Sequence, residues 1–431
     1  MSAAAKNVND HISLDEVVAL TEGLANIPSF SGSEAAAAEY AAAKMRSCGF
    51  DEVILQEVER GRPNAIGILR GDGTGANLMF NGHLDIDPIP IGYDRPLWQC
   101  SREGGSLFGV GVGNMKAGDA AMIMAAAAVK RSGIKLKGDL IVACVVGELQ
   151  GGIGTVHMLD KGPLPHIAIV PEPTNLQIRT IHAGVLELLV TFYGKAVWAG
   201  RIHAFKWVNA IDKAFTAMRA MHAIEFTHVP HPELPGLPRI HAGSVRGGLT
   251  REYHMWRPAF VADCCTLAID VRTHPGMTVE GVVADLRKCL DGLAAADPDF
   301  KYEIEMPPAA YKAPWHAMGV YMPPLELPKD HPLVGITTAH HKAVTGETPP
   351  IGVHSPGSMA GADSGHLWSR GVPCFNYGPT QHSRFYNDVV LSKLEHGTRV
   401  LAMTAAEVCS RSRDELGYEA TWKKAAPKVQ G

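Results

Sequence analysis

Leu78-Met79-Phe80-Asn81-Gly82-His83-Leu84-Asp85 is the stretch that decides the fold. A short apolar run ends on a glycine, and a histidine and a carboxylate follow at once. The run is too short for a helix and too apolar for an exposed edge, so it reads as a buried strand with polar groups at its carboxyl end. Ala65–Leu69, Leu140–Val146 and Ile167–Val170 are similar runs bounded by turns, and the helical stretch Gly118–Arg131, closed by Gly133, lies among them. Strands alternating with helices predict an α/β layer architecture with a mostly parallel central sheet. Open sheets of this kind bind ligands at the carboxyl ends of their strands, which is where His83 falls.

Working outward, Ser13-Leu14-Asp15-Glu16 and Ser31-Gly32-Ser33-Glu34 both fit the capping box that opens a helix, and Gly49 is placed to end the second one. The middle of the chain has a different pattern. Alternating runs at Leu186–Phe192 and Cys264–Val271, with amphipathic helices near Asn209–His222 and Val279–Leu293, predict a small α+β insertion. Helices near Leu333–Thr345 and Ser392–Cys409 then flank a short strand, Cys374–Asn376. The expected division is a catalytic domain over 1–183 and 305–431, split around an inserted domain over 184–304.

At 431 residues the chain is long enough for two cores. A formal charge of −4, without a long Lys/Arg stripe, leaves no basic surplus for a nucleic-acid backbone. No run of about 18 apolar residues offers a membrane span, and Met1 to His11 lacks the apolar core of a signal peptide, so the expected location is the cytoplasm. The eight cysteines show no CxxC spacing and predict buried free thiols, neither a disulfide framework nor a thiolate zinc site.

Three more segments each set one polar residue just past a strand end or at a helix entrance: Gly109-Val110-Gly111-Val112-Gly113-Asn114-Met115-Lys116, Val146-Gly147-Glu148-Leu149-Gln150-Gly151-Gly152 and Val170-Pro171-Glu172-Pro173-Thr174. With His83 they could meet at one rim, where Asp85 would orient the His83 ring. In this order the motifs resemble the M20 family of metallohydrolases, the aminoacylases and carboxypeptidases. The likeness extends through Gly194-Lys195-Ala196, Asp270-Val271-Arg272 and Gly361-Ala362-Asp363 to His382. It implies a zinc-peptidase-like catalytic domain, an inserted α+β lid or dimerisation domain and a homodimer through that lid. It also implies metal ligands at His83, Asn114, Glu172 and His382, with Glu148 as the general acid/base.

The departures from the family carry as much as the matches. Asn114 stands where the family has a bridging Asp, and Leu149 where it has a ligating acid. The family's ligand set carries −3, whereas here only Glu172 contributes a charge. Two dications 4 Å apart repel by about 16 kcal/mol at an effective dielectric near 20. The expectation is therefore one divalent ion, Mn²⁺ by preference because the set leans to oxygen, with Zn²⁺ or Fe²⁺ as alternatives. Trp198 and Ala259 replace the family's oxyanion-stabilising His and Asn. Those losses point away from a peptide carbonyl and toward hydrolytic deamination of an activated aryl amine, as in the family branch that converts 5-nitroanthranilate to 5-nitrosalicylate and ammonia. Arg384 would then hold the substrate carboxylate, and Trp198, Phe385 and Tyr386 would line the ring. The alternatives are an ordinary amidohydrolase of the aminoacylase or dipeptidase type and a non-catalytic small-molecule binder.

Overall fold

The computed structural model describes residues 7–305, 321–354, 357–381, 383 and 387–422. The chain divides into two compact units: Met1–His182 with Leu325–Gly431, and Ala183–Pro324.

The first unit is built on an eight-stranded sheet. Its strands are β1 (Glu52–Glu59), β2 (Arg62–Leu69), β3 (Leu78–His83), β4 (Leu140–Val145), β5 (Ile167–Val170), β6 (Ile178–Arg179), β7 (Ile351–Gly352) and β8 (Cys374–Asn376). They lie in the order β1-β2-β4-β3-β5-β8-β6-β7. The central pairs β4·β3, β3·β5 and β5·β8 are parallel, and the hairpin β1·β2 and the pair β2·β4 are antiparallel. β3, β4 and β5 are buried along their whole lengths, because strands covered on both faces have no polar side to alternate. The helix Ala117–Arg131 is buried on nearly every side and packs against Leu391–Cys409.

The two helix starts differ in part from the expected capping boxes. Ser13 caps Leu14–Ala25 by accepting from the Glu16 amide, but Glu16 itself pairs with Arg131. At Ala35–Ser47 the predicted capping box does not form: neither Ser31 nor Glu34 caps the helix, and both side chains are committed elsewhere.

The second unit is an antiparallel sheet of Arg239–Gly248, Cys264–Thr273, Gly184–Tyr193 and Lys301–Glu305. Helices Ala210–His222 and Val279–Ala296 cover it, with Leu186, Leu188, Val190 and Phe192 among the residues of the shared core, spaced by two as a strand requires. Asn209 and Thr278 cap the two helices. The unit runs to Pro324, beyond the expected boundary at 304, because Tyr321–Met322 returns to pair with Val185 and Leu186. Among the described residues no helix is long and apolar enough to cross a membrane.

Candidate active site

The parallel trio β4-β3-β5 explains how residues far apart in sequence share one rim. His83 closes β3, Glu148 follows the end of β4, and Glu172 follows the end of β5. All three strands point the same way, so all three side chains emerge at the carboxyl edge.

His83 is buried, and its Nδ1–H donates to the backbone carbonyl of Asp85 at 2.8 Å. A carbonyl can only accept, so Nδ1 carries a proton, and in the neutral ring the lone pair lies on Nε2. That atom faces Asn114 Oδ1 at 3.3 Å, Glu172 Oε1 at 3.8 Å and Glu148 Oε2 at 4.0 Å. Four acceptor atoms meeting in a buried space repel one another unless a proton or a cation lies among them. Although burial opposes it, the Asp85 carboxylate and the Glu148 and Glu172 carboxylates push the His83 pKa well above its ordinary value.

Each arm of the site is staked by its surroundings. Gly147, Gly151 and Gly152 all take left-handed backbone around Glu148, which tightens the turn after β4. Asn64, from β2, accepts from the Val146 amide and donates to the Gly154 carbonyl, clamping both ends of that turn. The Asp85 carboxylate accepts from the amides of Glu148 and Leu149, both at 3.1 Å. Asp85 thus binds the His83 strand to the Glu148 turn as well as orienting the ring.

The Asn114 loop is anchored by Lys116, whose buried ammonium donates to the carbonyls of Leu24 and Ile27. Burial brings the Lys116 pKa down to about 8. On the Glu172 arm, a Cβ at Gly118 or at Gly378 would lie only 2.3 Å from the Pro171 carbonyl oxygen, so both positions admit only glycine without a shift. The Gly378 amide donates to Thr174, tying this arm to the segment after β8.

Two carboxylates absent from the expected site stand close to it. Asp363 and Asp119 are buried, and neither Asp119 oxygen has a hydrogen-bond partner among the described residues. Burial pushes the Asp363 pKa up to about 7, against the pull of His83. Burial likewise drives Asp119 and Glu148 well above the usual carboxylate range, and Glu172 upward. Asp119 had a visible signal, an acid alone among Ala, Met and Ile in the helix Ala117–Arg131. Asp363 had none beyond its family-like segment.

Among the described residues no three His, Cys, Asp or Glu side chains form a metal cage by themselves. His83 and Glu172 with the amide oxygen of Asn114 are a mixed nitrogen and oxygen set that suits a divalent ion such as Mn²⁺, Fe²⁺ or Zn²⁺. Of the other expected residues, His382, Arg384, Phe385 and Tyr386 lie outside the described residues. Trp198 belongs to the second unit, is about half exposed, and forms a backbone bridge with Phe260, with the Ala199 amide donating to the Ala259 carbonyl. The two positions expected to lack oxyanion donors are therefore neighbours.

Comparison with known proteins completes the picture. The profile of peptidase family M20/M25/M40 matches residues 79–407. The chain is 25% identical over 393 residues to the N-formyl-4-amino-5-aminomethyl-2-methylpyrimidine deformylase of Bacillus subtilis, covering 83% of this chain and 86% of that one. Its fold is similar to the di-peptidase Dug1p of Saccharomyces cerevisiae, with a TM-score of 0.77 at 12% identity over 95% of this chain and 100% of that one. It is also similar to Bacillus subtilis YXEP, described as a dinuclear metal-binding peptidase, with a TM-score of 0.62 at 14% identity over 92% and 98% of the two chains.

Proposed function

This chain belongs to peptidase family M20/M25/M40, and from that premise we propose that it is a metal-dependent hydrolase that replaces the amino group of an activated aryl amine by water. 5-Nitroanthranilate is the proposed substrate, giving 5-nitrosalicylate and ammonia. A C–N hydrolase is what the family supplies, and the aryl-amine specificity is our reading. The observation that carries it is the neighbouring pair Trp198 and Ala259, which has neither an imidazole nor a side-chain amide to offer a carbonyl oxyanion.

A bound divalent ion supplies Lewis acidity and an acidified water near neutral pH. His83 and Glu172 would hold it with Asn114, and His382 is the proposed fourth ligand. Because the ligands carry a single negative charge, we favour one ion, Mn²⁺ by preference. The Glu148 carboxylate, 4.0 Å from His83 Nε2, is within one water's reach of that position. It takes a proton as the C–O bond forms and returns it to nitrogen as the C–N bond breaks. The negative charge is held meanwhile by the substrate's ring and nitro group. Arg384 is proposed to pair with the substrate carboxylate, with Trp198, Phe385 and Tyr386 against the ring. The inserted unit is proposed to join two copies.

A second reading is favoured by one specific observation: the Bacillus subtilis relative is named as removing a formyl group from a nitrogen-bearing pyrimidine. An N-acylated aromatic amine is the substrate class of that alternative. The deciding experiment incubates chelator-free protein of known metal content with 5-nitroanthranilate and, separately, with N-formyl and N-acetyl aryl amines. Ammonia release with about one ion per chain, both lost on chelation, is expected. Formate or acetate release without ammonia would replace the reading with the amidohydrolase, and two ions per chain would overturn the single-metal assignment.

A further inference from the structure

Ser31-Gly32-Ser33-Glu34 has the sequence of a helix cap, yet neither Ser31 nor Glu34 caps the helix that follows: Ser31 bonds Asp85, and Glu34 bonds Arg62. The segment runs beside Leu84–Ile86. The Ser29 hydroxyl donates to the Leu84 carbonyl at 2.7 Å, the Ile86 amide donates to the Ser29 carbonyl at 3.1 Å, and Phe30 forms a parallel bridge with Ile86. At its tip the Ser31 hydroxyl donates to Asp85 Oδ2 at 2.9 Å. The same Asp85 oxygen accepts from the Leu149 amide, while Oδ1 accepts from Glu148 and lies 3.5 Å from His83 Nδ1.

The other end of the segment reaches the far side of the same turn. Glu34 is fully buried and accepts from the Gly32 amide at 2.9 Å, and Arg62 grips it through Nε at 2.9 Å and Nη2 at 2.5 Å. That guanidinium lies against Gly147, where a Cβ would come within 3.1 Å of Nη2. One strap of six residues thus touches the metal-ligand strand through Asp85 and the Glu148 turn through Arg62.

We propose that Ser29–Glu34 is a brace for the site, with Ser31 and the Glu34–Arg62 pair as positioning residues that fix the Glu148 turn relative to His83. This rests on the reading of His83 and Glu172 as metal ligands. Without the Ser31 hydroxyl, Asp85 Oδ2 keeps only the Leu149 amide, and the carboxylate is freed to rotate away from the geometry that holds the His83 ring. Partners of metal ligands set ligand basicity and orientation, so their loss weakens metal binding by about 10- to 100-fold.

The test is calorimetric titration of the metal-free full-length protein with Mn²⁺, for the wild type, Ser31→Ala and Ser31→Thr, alongside their melting curves. Ser31→Ala should bind Mn²⁺ about 10- to 100-fold more weakly while the metal-free protein melts within about 2–4 °C of the wild type. Ser31→Thr, which keeps the hydroxyl, should restore binding. A merely structural serine would shift melting and leave Mn²⁺ affinity unchanged well below the transition, and that result overturns the brace alone. If the wild type itself binds no Mn²⁺, the metal-ligand reading falls first and the brace falls with it. Glu34→Gln, taken at a temperature where its melting curve shows a folded protein, should also bind Mn²⁺ more weakly than the wild type; wild-type affinity there would remove Glu34 and Arg62 from the proposal.

Discussion

The two units treat buried carboxylates in opposite ways. In the inserted unit the one buried acid among the described residues, Asp285, is satisfied: it accepts from the Thr227 amide and hydroxyl. In the first unit Glu34 is paired and Asp85 is fully hydrogen-bonded, but Asp119, Glu148, Glu172 and Asp363 are buried around His83 with their pKa values pushed upward. A protein that only needed to fold would follow the first pattern, because a buried acid without a partner costs stability. Buried acids with raised pKa values gathered around one histidine mark where the molecule retains chemistry at the expense of stability.

The contrast can be broken most decisively at Glu148. Glu148→Gln should lower hydrolytic turnover by about 10²- to 10⁴-fold while Mn²⁺ still binds. Turnover within threefold of the wild type would strip Glu148 of its role. Next comes Asp363, whose folded pKa of about 7 lies above its unfolded value near 3.9. The folded state therefore holds this proton more tightly than the unfolded chain. Its cost to stability is absent below about pH 4, grows as the pH rises, and is complete above 7. In metal-free protein, Asp363→Asn should remove that decline. It should match the wild type at pH 4 and exceed it by about 2–4 kcal/mol at pH 8 in urea unfolding. Parallel curves at the two pH values would show that Asp363 finds a partner in solution. The smallest effect is expected in the other unit. Asp285→Ala should cost about 1–3 kcal/mol and leave Mn²⁺ affinity unchanged. A loss of metal binding there would dissolve the division between the units.

What the sequence made legible was whatever is local. The strand ending in His83, the acids after β4 and β5, and the insertion could be read because strand burial and turn chemistry are written over a few neighbouring residues. What stayed hidden depends on distant contacts. The Ser31 segment looks like a helix cap because the pattern is correct locally. Only the approach of Asp85, 54 residues away, gives its hydroxyl a different partner. Asp363 joins the site through its burial, and the boundary at Pro324 follows from the pairing of Tyr321 with Leu186, neither of which is written in neighbouring residues.

The glycine pairing around Pro171 has a consequence for how this site could change. Neither Gly118 nor Gly378 carries a functional group, yet backbone meets backbone on both sides of one carbonyl, leaving the Glu172 arm no slack. A variant library scored for activity would find these two positions as unforgiving as the acids they flank. Selection for a bulkier substrate would have to make its room elsewhere around the rim, because here adding even one carbon displaces the main chain itself.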